Sequence, residues 1–250
     1  MNIAFDCLNG PELGHRTRCE ILENALVQRG HHIVSPYGEA KDWLVYDYPC
    51  APVSIPRGYR RLLMGQLPIA DNDYAWHPLG PTADKTMHGA KYIMVREYTY
   101  KYNGDREILI TCGGSDPYRL TQRILDGLGR RNLSSVVIGP NFSEEILQIY
   151  DWSIYLAPTY ATMQKLMRRY RTIICTWGQT VFEALVMGAN VLPITTNAAH
   201  EAEAKVLGVP YITHEHDFSD KTLLLRAIKG NFGIDYHGVE RVVEQMEAWL

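Results

Sequence analysis

Between residues 107 and 213 the chain alternates, almost without interruption, between short apolar runs and amphipathic stretches. "EILITCGGSDP" at 107–117 reads as a buried strand ending in a glycine pair, followed by a helix from about Leu120 to Leu128. "SSVVIGP", "WSIYLAP", "RTIICTWG", "NVLPIT" and "PYIT" read as further strands. "SEEILQIY", "ATMQKLMRRY", "TVFEALVMG" and "AAHEAEAKVLG" read as the helices between them. Such alternation leaves few architectures open. It predicts a parallel sheet with crossover helices on both faces.

The first third follows the same pattern less cleanly. "MNIAFDC" reads as a strand, and from His15 the residues Ile21, Leu22, Ala25, Leu26 and Val27 form the apolar face of a helix that Gly30 ends. "HHIVSP", "DWLVYDYP" and "KYIMV" read as strands, whereas 51–90, rich in Pro, Gly and Tyr, has no clear period. Two helices close the chain near 220–229 and 238–249. The polar break Tyr102–Asn103–Gly104–Asp105 separates two such units. Two α/β domains follow, 1–104 and 105–250, with a cleft between them and the last helix able to pack back on the first.

Composition narrows the function. A chain of 250 residues with 46% apolar and 21% charged residues is that of an ordinary globular protein. The 25 basic and 28 acidic residues give −3, a balance that does not indicate nucleic-acid or membrane binding. Nothing approaches the ~20 consecutive apolar residues of a membrane helix. Cys7, Cys19, Cys50, Cys112 and Cys175 form no C-x-x-C pair, so no structural zinc is expected. An odd cysteine count without a signal peptide suits reduced thiols in a cytoplasmic protein.

Ligands of open α/β sheets bind beyond the carboxyl ends of the strands. Three loops carry suspicious residues there: "LGHRTRC", "CGGSDP" and "TWGQT". In the first, Gly14 permits a turn and His15 opens the helix, whose dipole disfavours a cationic imidazole. Arg16 or Arg18 then assists with diphosphate charge, or is an exposed helix residue. In the second, Gly113, Gly114 and Ser115 suit close backbone approach to an anion. The plainer alternative is a tight turn in which Asp116 or Ser115 caps the helix and Pro117 begins it. In the third, Thr180 and Glu183 have capping-box spacing, or the helix N-terminus meets a diphosphate while Glu183 takes sugar hydroxyls. The spacing alone does not decide.

"GHRTRC", "DWLVYDYP", "GAKYIMVREY", "ILITCGGSDPYRLTQRIL", "ATMQKLM" and "GQTVFEALVMGANVLPI" together resemble, in order, the UDP-sugar hydrolases of pseudaminic acid synthesis and related spore-coat polysaccharide proteins. The likeness to the murein-precursor N-acetylglucosaminyltransferase is more distant. It runs from residue 1 to about 212. The resemblance implies an α/β GT-B fold of two Rossmann-like domains, the second holding a nucleotide sugar. His15 matches the catalytic histidine, and Asp47 a cleft-facing acidic residue. Gly113, Gly114 and Ser115 would face the diphosphate from one side and Gly178, Gln179 and Thr180 from the other; Glu183 matches the residue that binds the ribose. Gly14 and Arg16 join this nucleotide-sugar set.

Two departures stand out. The family's Asn-Gln pair after "NVLPIT" is replaced by Asn197-Ala198-Ala199-His200, where Asn197 and His200 are the candidate substitutes. The second and third strands are separated by about ten residues, too few for a helical crossover, so the N-terminal domain is shortened. A shortened front domain suits a bulky acceptor better than a closed hydrolytic pocket. Sugar transfer from a UDP-type donor therefore ranks above hydrolysis, and a non-catalytic nucleotide-sugar-binding module ranks third. The acceptor is open: a glycan, lipid-linked sugar, protein or, least favoured by charge, a nucleic-acid base. No metal or cofactor besides the nucleotide sugar is expected.

Overall fold

Parallel pairing organises both halves of the chain. The computed structural model describes residues 1–7, 13–38, 41–48, 59–65, 68, 70–97, 103–113, 116, 118–128, 134–138, 153–156, 158–220 and 222–250. They fall into two units, Met1–Arg96 with Gly233–Leu250, and Glu97–Phe232. The division thus comes at Arg96, ahead of residue 104.

In the first unit, β1 (Asn2–Cys7), β2 (His32–Val34), β3 (Trp43–Asp47), β4 (Arg60–Met64), β5 (Asp73–Trp76) and β6 (Thr86–Met87) form one sheet in the order β2-β1-β3-β4-β5-β6. Every pairing is parallel. β2 and β3 lie on opposite sides of β1, and the described residues of the 35–42 connection hold no helix. This is the shortening that the sequence announced. One core joins Ile3, Trp43, Val45, Leu62 and Met64 of the sheet to Leu22 and Leu26 of α1 (Leu13–Gln28) and to Val242, Val243 and Met246 of α6 (Gly238–Ala248).

Gly238 seats α6. A Cβ there would lie 2.0 Å from the carbonyl oxygen of Ile93, so only glycine admits this approach. Gly238→Ala should destabilise by about 1–3 kcal/mol as the backbones part, which calorimetry would read as a Tm lower by roughly 2–10 °C. An unchanged Tm would contradict this seating.

In the second unit, β7 (Arg106–Thr111), β8 (Ser134–Ile138), β9 (Ser153–Leu156), β10 (Tyr170–Thr176), β11 (Asn190–Thr195) and β12 (Ile212–Thr213) form a second parallel sheet, ordered β12-β11-β10-β7-β8-β9. Its helices are α2 (Leu120–Leu128), α3 (Tyr160–Met167), α4 (Gln179–Met187) and α5 (Ala198–Leu207). The run Ile173–Ile174–Cys175 of β10 is fully buried, as expected for a central parallel strand covered on both faces. In α2 the buried Leu120, Ile124 and Leu128 recur every four residues and pack on Ile110, Ile174 and Ile194.

Three local readings change. "KYIMV" is not a strand: a 3-10 turn, Ala90–Tyr92, leads into Ile93, Met94 and Val95, which are buried in an irregular segment. Around 220–229 the helix is only a 3-10 turn, Leu223–Arg226. The unassigned 51–90 stretch supplies β4, β5 and β6. Cys50 and the predicted helix "SEEILQIY" lie outside the described residues.

Candidate functional site

Each sheet has a point where its strand order turns back on itself, and such points form ligand crevices at the carboxyl ends of strands. In the first unit that point lies between β1 and β3, where Cys7 pairs in register with Asp47. The carboxylate of Asp47 is fully buried and sits in a cluster of donors from α1. Arg18 grips both oxygens, with Nε 2.5 Å from Oδ2 and Nη2 donating to Oδ1. His15 Nδ1 lies 2.6 Å from Oδ1, and Cys19 Sγ 3.5 Å from Oδ2. The Arg18 guanidinium also lies 5.7 Å from the centroid of the Trp76 ring.

His15 Nδ1 has two neighbours of opposite character, the acceptor Asp47 Oδ1 at 2.6 Å and the donor Arg18 Nη2 at 2.7 Å. Nδ1 without a proton would set its lone pair against a carboxylate oxygen at 2.6 Å. With the proton on Nδ1, the imidazole donates to Asp47 and carries its lone pair on Nε2, the arrangement of an oriented base. Arg18 balances the buried charge from the other side. His15, Arg18 and Cys19 fall on one face of α1 because they are three and four residues apart. Asp47 meets them at the end of the neighbouring strand.

The same stretch corrects two expectations. α1 begins at Leu13, so Gly14 is a helical residue of its first turn rather than a turn before it. Arg16 faces away from Asp47, bonding Glu20 at 2.7 Å with a side chain 68% exposed. Arg18 is not exposed but is turned onto Asp47, a partner other than the diphosphate expected for it. A third change concerns the thiols: Cys7 and Cys19 are joined as a disulfide. Cys112 and Cys175 are free and buried, and burial raises both thiols well above their ordinary range.

Alternation sends the neighbours of Cys7 and Asp47 to the other face of the sheet. There the Tyr48 hydroxyl donates to Asp6 at 2.7 Å and the Tyr46 and Tyr48 rings lie 4.7 Å apart. The Asp6 carboxylate pushes the Tyr48 phenol up to about 12, so it remains a donor at neutral pH.

In the second unit the order turns between β7 and β10. Gly113 after β7 and Gly178 after β10 hold φ of +80° and +142°, which side chains rarely adopt. Gly114, Ser115 and Pro117 lie outside the described residues. Asp116 is buried and caps α2, accepting from the Leu120 and Thr121 amides at 2.7 and 3.0 Å. Those two donors of α2 are therefore taken by the chain itself.

α4 is different. Its N-cap is Gly178, with no side-chain cap, so the capping box suggested by Thr180 and Glu183 does not form. Glu183 instead lies buried in the second turn, where its Oε1 accepts from the Tyr160 hydroxyl at 3.2 Å and the Gln179 amide at 3.3 Å. The first-turn amides at Gln179 and Thr180 follow a cap that contributes no side-chain acceptor, the arrangement that suits an anion. After β11, Asn197 caps α5 by accepting from the His200 amide at 2.9 Å, and His200 Nδ1 meets Thr196 Oγ1 at 2.9 Å. Burial lowers the His200 imidazole, favouring its neutral form. Both residues have structural work within their own loop.

The expectation of no metal took a D-x-D carboxylate motif to be absent, yet Asp71–Asn72–Asp73 has that spacing. Asp73 is fully buried and held by Arg61 and by the Ala70 amide at 2.8 Å. Among the described residues no group of three His, Cys, Asp or Glu side chains could hold a metal ion. Nor does any described helix have the length and apolarity to cross a membrane.

Solved structures of the same architecture cover almost the whole chain. MurG of Acinetobacter baumannii superposes with a TM-score of 0.58 over 99% of each chain, at 10% identity. The spinosyn rhamnosyltransferase SpnG does so with a TM-score of 0.58 over 99% of this chain and 96% of its own, at 15% identity. A second SpnG structure, complexed with thymidine diphosphate, gives 0.56 over the same shares at 13% identity. The fold is GT-B. No family model matches the sequence. An uncharacterized protein of Methanocaldococcus jannaschii is 32% identical over 136 residues, 46% of this chain, and this chain spans 28% of that relative's length.

Sequence reasoning placed His15, Asp47, Gly113, Gly178 and Glu183 in these two strand-end regions. It missed Tyr160, Cys7 and Cys19 as partners. For Cys19 a signal existed, since it lies four residues after His15 on the same helical face.

Proposed function

We propose that this chain is a nucleotide-sugar-dependent glycosyltransferase in which the second unit binds the nucleotide and the first supplies the base. The observation that carries this reading is the His15–Asp47–Arg18 cluster at the β1–β3 crevice of a GT-B chain. In the transfer, His15 Nε2 takes the proton of an acceptor hydroxyl as its oxygen attacks the anomeric carbon. The bond from that carbon to the phosphate oxygen breaks, and the nucleoside diphosphate leaves with the electron pair. Asp47, fixed by Arg18, holds the Nδ1 proton and offsets the charge that forms on the ring. The α4 N-terminus favours the diphosphate, and Glu183 accepts ribose hydroxyls in place of Tyr160 and Gln179.

UDP is the nucleotide this reading expects, with no metal required. Calorimetry in EDTA should show UDP binding, and Glu183→Ala should weaken it by roughly 10-fold or more, the scale of losing hydrogen bonds to a charged acceptor. Loss of binding in EDTA, or unchanged affinity in the variant, would overturn the assignment. Turnover is tested by following UDP release from a panel of UDP-sugars with and without glycan acceptors. Release that rises with an acceptor marks transfer, and acceptor-independent release marks a hydrolase. Binding with no release from any sugar would leave only a binding module.

A further inference from the structure

We propose that Cys7 and Cys19 are a reversible redox pair that sets the hydrogen bonding of Asp47 and, through it, the orientation of His15. Cys7 ends β1 in register with Asp47, and Cys19 sits one helical turn beyond His15 on α1. The two cysteines are joined, while Cys19 Sγ also lies 3.5 Å from Asp47 Oδ2. These two relationships exclude one another chemically. A thiol at Cys19 donates its hydrogen to Asp47, whereas a disulfide sulfur has no hydrogen to donate. Oxidation thus removes one donor from a buried carboxylate whose other donors are Arg18 and His15. It also ties the helix that carries His15 to the strand beside Asp47. Cys112 and Cys175 offer no comparable pairing, since both are buried in the interior of the second unit and remain free.

The oxidant is a low-molecular-weight disulfide such as oxidised glutathione. Cys7 is the entry point, being half-buried where Cys19 is 6% exposed. Its thiolate attacks one glutathione sulfur, and the first glutathione leaves as a thiolate that takes up a proton. Cys19 then attacks the Cys7 sulfur of the mixed disulfide and releases the second glutathione in the same way. Two protein thiols are oxidised, one glutathione disulfide is reduced, and the two protons end on glutathione. Dithiothreitol reverses the sequence and becomes the cyclic disulfide.

The effect on turnover rests on the role given to His15, so the test carries a readout independent of activity. The full chain is equilibrated with oxidised glutathione or with dithiothreitol, alkylated, and mapped by peptide mass. The oxidised sample should show a Cys7–Cys19 link, absent after dithiothreitol and absent in Cys7→Ser. The NMR signals of the His15 ring, assigned by comparison with His15→Asn, should differ between the linked and unlinked forms. Turnover of the linked form should be lower by about tenfold, the scale of one hydrogen bond to a charged group. Its pH–rate profile should be displaced, which a merely structural staple would not cause. Cys7→Ser should hold the reduced rate in either buffer. Failure to form the link at any glutathione ratio overturns the proposal. So does a link that leaves the His15 signals and the pH–rate profile unchanged. Absence of turnover in both forms, with altered His15 signals, counts against the transferase reading and supports the redox pair.

Discussion

His15→Ala and His15→Asn should each lower turnover by about 10²–10⁴-fold, the usual contribution of a positioned acid–base group. UDP affinity should change little, because the residue belongs to the first unit while the nucleotide is assigned to the second. That pattern, a fall in kcat with binding retained, identifies an interaction made in the transition state. The two substitutions separate chemistry from packing. Asparagine keeps a donor near Asp47 Oδ1 but offers no basic nitrogen, so a fold-neutral loss of rate in both variants points to proton transfer. The measurement is paired turnover and UDP calorimetry on protein whose Tm matches the parent. Near-normal turnover in His15→Asn would remove His15 from the mechanism, and the donor cluster around Asp47 would then be a packing feature.

The sheet of the second unit was legible because its central strands are buried on both faces, which makes them continuous apolar runs such as "ILIT" and "TIIC" bounded by glycine. The first unit hid more. β4 opens with Arg60 and Arg61, and Arg61 is there because it pairs with the buried Asp73 of β5. Neither residue advertises a strand, since each is intelligible only beside the other. The apolar run Ile93–Val95 misled for the opposite reason: its burial comes from packing beneath α6, whose Gly238 touches the Ile93 carbonyl, and not from a ladder. Such tertiary reasons for hydrophobicity leave no local period.

The candidate site divides along the same line. Histidine after a first strand and glycines after two later strands have positional meaning in an α/β chain, so they could be singled out. The choice between capping box and ligand for Glu183 could not be made from spacing, because it turned on where α4 begins. With Gly178 as the cap, Thr180 stands two residues too far in, and Glu183 meets Tyr160, a residue from a different helix. Arg18 shows the limit from another side. On spacing alone Arg16 and Arg18 were equivalent, yet one pairs with Glu20 in solvent and the other is folded over Trp76 onto Asp47.

Asp47→Asn should be nearly as damaging to turnover as loss of His15, and the double variant His15→Asn/Asp47→Asn should be no worse than either alone. The carboxylate is fully buried and receives Arg18 and His15, with the Cys19 sulfur 3.5 Å away. An amide keeps its shape but reverses part of its polarity. With the asparagine oxygen in the Oδ2 place it accepts from Arg18 Nε, while its NH2 faces both Arg18 Nη2 and His15 and drives the ring proton to Nε2, where no proton can then be accepted. With the oxygen in the Oδ1 place it accepts from His15 and Arg18 Nη2, but its NH2 is set against Arg18 Nε, so either orientation disturbs the arginine that fixes the pair. In an oriented histidine base, a wrong tautomer of this kind costs up to about 10⁴-fold. Asp47→Ala goes further by leaving Arg18 without its buried partner, a loss of about 3–5 kcal/mol in stability. Asp47→Asn is therefore the informative variant and Asp47→Ala the folding control. Groups that act as one unit lose function once, so their rate losses do not add. A double variant slower than the single ones by the product of their losses would show that Asp47 acts apart from His15, and the tautomer argument would fail with it.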